Sequence, residues 1–259
     1  MMQLADPMQQ FRLDGRTALV TGARREIGRA IALAFAAQGA RVAVHHAGTE
    51  EEAQDAARVV AEIGADRATA FAADFADDNA GTRLADDVLA TFAQIDILVL
   101  NASIEIRQDW TEITRATFDR QIAINMRSTL EMLQALVPPM AERGWGRVLT
   151  IGSIQQVSPH PQMLVYAGTK AMQFNWAVNI ARQVGMRGVT VNNLSPGIIA
   201  TARNRDQLVT EGERLLARVP VGRLGRPDDL VGAALLLCSD AGSYINGANL
   251  FVVGGRHVQ

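Results

Sequence analysis

The sequence has few of the residues that mark several large classes of protein. Its single cysteine, Cys238, cannot form a disulfide within the chain, and no cluster of Cys, His and acidic residues has metal-ligand spacing. No apolar stretch approaches the roughly 20 residues that a membrane-spanning helix needs. Residues 1–10 lack the charged and apolar regions of a signal peptide. The sequence therefore predicts a cytoplasmic protein without a metal.

Charge and composition also exclude several kinds of partner. The net charge is −2, and no block of Lys or Arg stands out, so neither nucleic acid nor a membrane surface is an expected partner. Hydrophobic residues make up 48% of the 259 residues, which is enough for a sizeable core. Because no linker or repeat interrupts the chain, we predict one domain over residues 1–259, with a poorly ordered tail over residues 1–12.

Short apolar runs alternate with longer segments of helical periodicity. The predicted strands are residues 17–20, 41–45, 68–71, 96–100, 147–151, 189–193 and 249–253. The predicted helices are residues 27–38, 50–63, 79–93, 117–142, 166–184, 208–218 and 228–238. This alternation predicts an α/β fold, a Rossmann-type doubly wound parallel sheet of about seven strands with helices on both faces. Pro138 and Pro139 should kink or interrupt the long helix.

A glycine-containing loop follows the first predicted strand. Residues 21–28 (TGARREIG) open a helix, where free backbone N–H groups can hold a diphosphate. Gly22 would permit a tight turn and Gly28 a close approach of helix to strand. Glu26 takes a position where glycine would let the backbone approach the phosphates. The two glycines alone also fit an ordinary turn and helix cap.

The end of the second strand bears on the choice of cofactor. An NAD site would place an acidic residue about 20 residues after the loop. Here the strand ends at His45 and His46, and the next acidic residue is Glu50. The missing carboxylate, together with Arg24 and Arg25 in the loop, favours NADP, with NAD as the alternative. The two histidines fit either phosphate contact or exposure to solvent.

Residues 166–170 (YAGTK) carry the strongest chemical signal. Tyr166 and Lys170 share one face of a helix. A free phenol has a pKa near 10, too high for a base at neutral pH, and a neighbouring ammonium lowers it. Ser153 follows the fifth strand and could donate to a substrate oxygen, and Asn125 lies in the preceding helix. Taken singly, Tyr166 and Lys170 fit a surface pair, Ser153 a turn cap and Asn125 a buried amide. Because all four are expected at the carboxyl side of one sheet, their common placement favours catalysis.

Together these segments resemble the short-chain dehydrogenase/reductase family over roughly residues 14–256. Residues 21–28 are similar to its cofactor loop, residues 196–201 to its nicotinamide segment, and residues 223–227 and 244–247 to its C-terminal signatures. Asn125, Ser153, Tyr166 and Lys170 match its tetrad. Glu26, Leu100, Ser103 and Gly254 depart from its pattern.

The resemblance implies a role for each member of the tetrad. Tyr166 would exchange the proton and Ser153 would hold the substrate oxygen. Lys170 would bind the nicotinamide ribose, and Asn125 would anchor a proton-relay water. The residues predicted to bind the cofactor are Thr21, Gly22, Arg24, Arg25, Ile27, Gly28, His45, Asp74, Phe75, Asn101, Ala102, Tyr166, Lys170, Pro196, Gly197, Ile199 and Thr201. The resemblance also implies a homotetramer.

The predicted function is transfer of a hydride between NAD(P) and a carbonyl or alcohol. Ser153, Gln155 and Tyr166 are the predicted substrate contacts. The predicted pocket edges are polar, which favours a small substrate such as a sugar or sugar acid; they include Glu105, Arg107, Gln155, Gln156, His160, Arg203 and Arg205. Two alternatives stay open: reduction of a 3-oxoacyl thioester, and a cofactor-sensing protein with little catalysis.

Overall fold

A seven-stranded sheet forms the centre of the molecule. The computed structural model describes residues 6–258, apart from the side chains of residues 203, 206–208 and 258. All strands are parallel, in the order β3-β2-β1-β4-β5-β6-β7. The strands are β1 Thr17–Val20, β2 Arg41–His46, β3 Ala68–Ala72, β4 Ile97–Leu100, β5 Gly146–Ile151, β6 Val189–Pro196 and β7 Asn249–Val252. This confirms the predicted Rossmann-type sheet.

Helices cover both faces of the sheet. They are α1 Glu26–Ala37, α2 Glu50–Ile63, α3 Ala80–Phe92, α4 Arg115–Ile122, α5 Ser128–Glu142, α6 Leu164–Val184, α7 Arg205–Leu216 and α8 Val231–Cys238. In the described part of the chain, no helix combines the length and the apolar character needed to cross a membrane.

The strands are apolar throughout because both of their faces are buried. In β1, Ala18 and Val20 pack with residues of α1, α2 and α8. Leu19, which points the other way, packs with residues of α3, α5 and α6. Successive side chains of a strand alternate between faces, so a central parallel strand needs an uninterrupted apolar run. The two helical layers thereby leave only the strand ends open to a ligand.

The N-terminal segment includes one element of regular structure. Residues 1–5 lie outside the described residues. Pro7–Phe11 form a short 3₁₀ helix, whose first turn is capped by Asp6 accepting from the Met8 N–H at 3.0 Å. Pro7 favours this start because its ring fixes φ and it has no N–H to satisfy. Pro7–Phe11 therefore have regular backbone structure, and poor order of the tail over residues 1–12 stays a prediction.

The predicted long helix is interrupted at a different place than expected. It divides into α4, a π-helical turn at Ala123–Arg127, and α5, which runs through Pro138 and Pro139. The expected break at the prolines is wrong. Gln134, whose carbonyl loses its partner at Pro138, lies with Pro138 on the exposed side of α5, where water can satisfy that carbonyl.

The sixth strand is longer than predicted. It continues past Asn193 to Pro196, because Asn193–Pro196 pair in register with β7. This pairing carries Ser195 and Pro196 to the carboxyl edge of the sheet. The segment predicted as irregular from residue 195 therefore begins as strand and leads directly into the candidate site.

Candidate active site

A cavity of about 750 Å³ opens at the carboxyl ends of the strands. This is where open parallel sheets bind their ligands, beside the point at which strand order reverses. The order changes direction between β1 and β4. Of the residues predicted to be catalytic or to contact the cofactor or substrate, all but Thr21 and Asn125 line the cavity. Both lie directly behind its wall.

Two glycines shape the phosphate loop. Gly22 has φ +63°, a conformation that favours glycine. Gly28 lies in the first turn of α1, where a Cβ atom would stand 2.3 Å from the Gly22 carbonyl oxygen and 2.7 Å from Asn101 Nδ2. No side chain fits between α1 and the loop. The start of α1 therefore presents its backbone N–H groups at the cavity edge, as a diphosphate site requires.

Thr21 binds protein groups behind the cavity wall. Its Oγ1 donates to the Val99 carbonyl at 3.2 Å and accepts from the N–H groups of Asn101 and Ala102 at 2.9 and 3.0 Å. Asn101 Nδ2 returns a bond to the Thr21 carbonyl at 2.8 Å. The predicted direct contact of Thr21 with the cofactor is replaced by a tether between the loops after β1 and β4.

His45 also differs from both interpretations offered by the sequence, since it is buried. The Gly22 N–H donates to Nδ1 at 3.0 Å, so the ring proton is on Nε2, which donates to the Ala73 carbonyl at 2.9 Å. The ring stacks on Phe75 at 4.4 Å between centroids. Burial lowers the pKa of His45 to about 4. A neutral imidazole with both nitrogens bonded within the protein supports the phosphate loop and leaves no nitrogen for a phosphate.

The two loop arginines have different surroundings. Arg24 is bonded to Glu52 at 2.9 Å and to Asp55 at 2.7 Å, so two carboxylates of α2 offset its charge. Arg25 is exposed at the cavity edge. Glu52 lines the cavity as well. No sequence signal marks it, because it lies beyond the strand end where an acidic residue was expected. His46, expected to face phosphate or solvent, is largely screened from solvent and lines the cavity.

Glu26 connects two walls of the cavity. It has φ +56°, in the left-handed region. Its Oε1 accepts from the Ala202 N–H at 2.8 Å, while its Oε2 is buried and has no partner among the described residues. The carboxylate therefore joins the phosphate loop to the segment after β6.

Tyr166 and Lys170 face the cavity from α6. Both are buried, with 6% and 1% of their surfaces exposed, and the ammonium lies 5.6 Å from the centre of the phenol ring. Lys170 Nζ donates to the Ile151 carbonyl at 2.7 Å and to Gln173 Oε1 at 3.1 Å. A buried ammonium this close favours the phenolate form of tyrosine.

Ser153 lines the cavity between these groups and the substrate side. Its Oγ accepts from the Gln155 N–H at 3.1 Å. That bond uses an oxygen lone pair, so the hydroxyl proton can be donated to a substrate oxygen. The geometry thus fits the role that the resemblance implies.

Asn125 is fully buried and bonded to the wall behind the cavity. Its side chain accepts from the Ile104 N–H at 2.8 Å and donates to the Ile104 carbonyl at 2.9 Å and to Thr169 Oγ1 at 3.2 Å. Its own carbonyl accepts from Thr129 Oγ1 at 2.9 Å and Gln173 Nε2 at 2.8 Å. Two side chains therefore donate to this carbonyl, and the anchoring of a relay water by Asn125 stays a prediction. Gln173, a polar residue within an apolar helix, was not among the predicted site residues.

The residues predicted to form the edges of the substrate pocket lie in different places in the structure. Gln155 lines the cavity and accepts from the His160 N–H at 2.6 Å. Gln156 does not line it; its side chain accepts from Ser195 Oγ at 3.2 Å. Arg205 lines a separate shallow depression. The side chain of Arg203 lies outside the described residues.

Basic residues from the C-terminal half also line the cavity. Arg214, Arg218 and Arg256 line the cavity together with Glu211. The Nε of Arg256 is buried and has no hydrogen-bond partner among the described residues. Burial, followed by the charge of Arg218, lowers the pKa of Arg256. These residues belong to no motif, so only the folding of the C-terminal segment over the cavity reveals them.

The cavity combines two features that suit a nicotinamide dinucleotide. One end is a glycine-shaped helix start where a Cβ atom would fill the space, and the other is a buried Tyr166–Lys170 pair beside Ser153. A helix start holds a diphosphate, and a phenol near an ammonium can exchange a proton at neutral pH. The fold and the site together define a nicotinamide-dependent oxidoreductase.

Comparisons with known proteins agree with this class. A family model described as enoyl-(acyl carrier protein) reductase matches residues 22–257. L-rhamnose 1-dehydrogenase (NAD(P)(+)) of Azotobacter vinelandii is 36% identical over 94% of this chain and 97% of its own length.

Two solved structures have the same fold. A 3-oxoacyl (acyl-carrier-protein) reductase from Agrobacterium tumefaciens with NADP bound is 40% identical, with a TM-score of 0.87, over 98% of this chain and 97% of that one. A gluconate 5-dehydrogenase from Burkholderia cenocepacia in complex with NADP and tartrate is 30% identical, with a TM-score of 0.91, over 98% of this chain and 100% of that one. The chain belongs to the short-chain dehydrogenase/reductase family of NAD(P)-dependent oxidoreductases.

Proposed function

We propose that the protein transfers a hydride between NADP and a carbonyl or secondary alcohol of a small polyhydroxylated substrate, with sugar acids as the favoured class. The observation that supports this most is a pair of arginines that line the cavity from the C-terminal segment. Arg218 and Arg256 line the cavity, and the buried Nε of Arg256 has no partner within the described chain. A carboxylate would satisfy this donor with a charge-assisted hydrogen bond.

The reaction divides between the cofactor and four side chains. When bound, the nicotinamide ring supplies the hydride acceptor or donor. In alcohol oxidation, Tyr166 takes the hydroxyl proton as the C–H electron pair leaves as hydride; in reduction it returns the proton to the oxygen. Ser153 donates to that oxygen, and the ammonium of Lys170 favours the phenolate. Asn125 supports the loop after β4 and the helix of Tyr166 through its side chain.

The cofactor end supports NADP, with NAD as a usable alternative. Arg25 is exposed at the cavity edge, where it can reach a 2′-phosphate. Arg24 could add to this contact only by sharing its charge with Glu52 and Asp55. Both solved relatives described above hold NADP, and the rhamnose dehydrogenase is named for both cofactors.

Sugar substrates are supported by the relatives as well as by the cavity. The rhamnose and gluconate dehydrogenases act on polyhydroxylated compounds by name, and the gluconate enzyme was crystallised with tartrate, a hydroxy acid. The cavity wall of this chain is correspondingly polar, with Gln155, His160 and Glu105 beside the arginines.

The test is a substrate panel with NADP and NAD, in which aldonic acids are paired with uncharged polyols and sugars of the same length. We expect turnover with aldonic acids. Tyr166→Phe should lower kcat by about a thousandfold and leave NADPH binding, followed by nicotinamide fluorescence, unchanged. An unaltered rate in Tyr166→Phe would remove the proposed mechanism. Arg256→Gln should raise KM for the acids and not for the polyols.

Reduction of a 3-oxoacyl thioester is the second candidate. It is favoured by the 40% identity to the A. tumefaciens reductase. Turnover of an acetoacetyl thioester, with no activity on the sugar panel, would establish it. A cofactor-sensing role would show as tight NADPH binding with no turnover in either panel, and as no effect of Tyr166→Phe.

We further propose that the chain acts as one domain, in the cytoplasm, as a homotetramer. One sheet spans the chain from Thr17 to Val252. Large apolar side chains remain exposed on α5 and α6, Leu130 and Met172 each at 40%, which a subunit interface would bury. Light scattering of the purified protein measures the assembly directly; a monomeric mass would contradict it.

A further inference from the structure

Gln173 is a buried polar residue in the helix that carries Tyr166 and Lys170. It lies three residues after Lys170 on α6, with 1% of its surface exposed. A side-chain amide in such a place must be hydrogen-bonded, because a buried polar group without a partner is strongly destabilising. The partners of Gln173 therefore show what the residue does.

Both ends of the amide bind to residues of the proposed site. Gln173 Oε1 accepts from Lys170 Nζ at 3.1 Å, and Gln173 Nε2 donates to the Asn125 carbonyl at 2.8 Å and to Thr129 Oγ1 at 3.3 Å. Because the amide has one acceptor end and one donor end, it can join an ammonium to a carbonyl in only one orientation. The bonds thus fix the rotamer of Gln173 as well as the position of the lysine.

The Asn125 carbonyl to which Gln173 donates lies in an unusual stretch of backbone. It lies in the π-helical turn between α4 and α5, a distortion that often occurs at functional sites. A carbonyl oxygen has two lone pairs, and here Thr129 Oγ1 and Gln173 Nε2 donate to it. The amide of Gln173 therefore links the Asn125 carbonyl to the Lys170 ammonium through hydrogen bonds.

We propose that Gln173 is a positioning residue for the Tyr166–Lys170 pair. Its amide bridges the Asn125 carbonyl and the Lys170 ammonium, and it holds the ammonium where its charge favours the phenolate of Tyr166. With the Ile151 carbonyl as the other acceptor, the ammonium is held from two directions. This inference rests on the proposed function, since it acts through the roles assigned there to Tyr166 and Lys170.

A positioning role and a packing role predict opposite orders for two variants. Q173L keeps a side chain of about the same size but removes all three hydrogen bonds. Q173A leaves room for a water with three polar partners, Lys170 Nζ, the Asn125 carbonyl and Thr129 Oγ1, which is enough to hold it. If Gln173 serves only to fill the core, the alanine variant should be the more damaged, because it leaves a cavity.

The experiment measures alcohol oxidation by the whole enzyme with NADP and the best substrate of the panel, as a function of pH. We expect kcat at neutral pH in the order wild type, then Q173A, then Q173L, with Q173L lower than wild type by about ten- to a hundredfold. The apparent pKa of kcat/KM should rise by about one unit in Q173L, and the dissociation constant of NADPH should change much less than kcat.

The nearly isosteric variant Q173E tests the same idea if the other two fail to fold. Its carboxylate would lie beside Lys170 and offset the charge that favours the phenolate, so its apparent pKa should also rise by about one unit. A wild-type pH profile in Q173E, or a Q173A variant slower than Q173L, would overturn the proposal. An inactive Tyr166→Phe beside a fully active Q173L would refute only this inference, whereas a fully active Tyr166→Phe would refute the proposed function itself.

Discussion

At the catalytic end of the cavity, the ammonium of Lys170 beside Tyr166 is held by buried neutral groups, a carbonyl at 2.7 Å and an amide at 3.1 Å. At the phosphate end, the charged residues bind to one another or bridge separate walls: Arg24 to α2 and Glu26 to the segment after β6. The first end keeps the tetrad that the family resemblance implies. The phosphate end keeps the glycines that set its shape, but its charged residues, such as Glu26, depart from the family's pattern.

This difference follows from the task of each end. Proton exchange depends on a phenol and an ammonium at a fixed separation, so that end tolerates little change in its side chains. Phosphate binding depends on backbone N–H groups and on the net charge nearby, which several arrangements of side chains can supply. At the phosphate end we therefore expect the shape of the loop to have the largest effect on cofactor affinity and stability. The support from His45 should have the second largest effect, and the sign of a single charge should have the smallest.

The largest effect should come from filling the space at Gly28. In Gly28→Ala the new Cβ would stand 2.3 Å from the Gly22 carbonyl oxygen, so α1 must move away from the loop. NADPH affinity should fall by at least about a hundredfold, and the free energy of unfolding should fall by about 1–3 kcal/mol. Fluorescence titration and urea denaturation measure the two.

Gly232 provides the matched control. It lies in α8, where a Cβ atom would have no neighbour within 4 Å. Gly232→Ala should leave NADPH affinity unchanged and keep or slightly raise stability, because alanine restricts the unfolded chain. If Gly28→Ala bound NADPH like wild type, the shape of the loop would not be what distinguishes the phosphate end.

The second effect is a dependence of stability on pH that His45 introduces. Its pKa is lowered to about 4 by burial, whereas an unfolded histidine titrates near 6.5. Because the folded pKa is the lower one, stability is complete above pH 6.5 and is lost as the pH falls towards 4. The loss from this group should reach about 3 kcal/mol.

His45→Asn isolates this contribution. Asparagine can still accept from the Gly22 N–H but does not titrate, so its unfolding free energy should change less than that of wild type between pH 7 and about 4. The comparison is made by urea denaturation across that range. Equal losses in both proteins would show that His45 does not cause the loss of stability at low pH.

The smallest effect concerns Glu26. Glu26→Gly relieves a left-handed backbone at φ +56° and removes a negative charge at the phosphate loop. We expect NADPH to bind about five times more tightly, equivalent to about 1 kcal/mol. Glu26→Gln keeps an acceptor for the Ala202 N–H and should show the part of the gain that is due to charge alone. Weaker binding in both variants would mean that the anionic bridge to Ala202 holds the cavity wall in place.

Much of the fold could be predicted because its signals are local. A buried parallel strand is a short apolar run, and α6 shows its extent by helical periodicity; the observed Leu164–Val184 adds only two residues to the prediction. The break in the helix before β5 was misplaced because the expectation rested on Pro138 and Pro139. Whether a proline disturbs a helix depends on where the freed carbonyl points, and that is decided by packing.

The candidate site divides in the same way between sequence and tertiary structure. The sequence by itself determined the glycine loop, the Tyr166–Lys170 spacing and the position of Ser153, since each depends on one turn of helix or the end of one strand. Only the tertiary structure decided that His45 supports the loop, that Glu52 offsets Arg24, and that Arg256 reaches the cavity. These are contacts between segments far apart in the chain, and the physical reason is that a side chain's charge, protonation and partners depend on what folding places beside it.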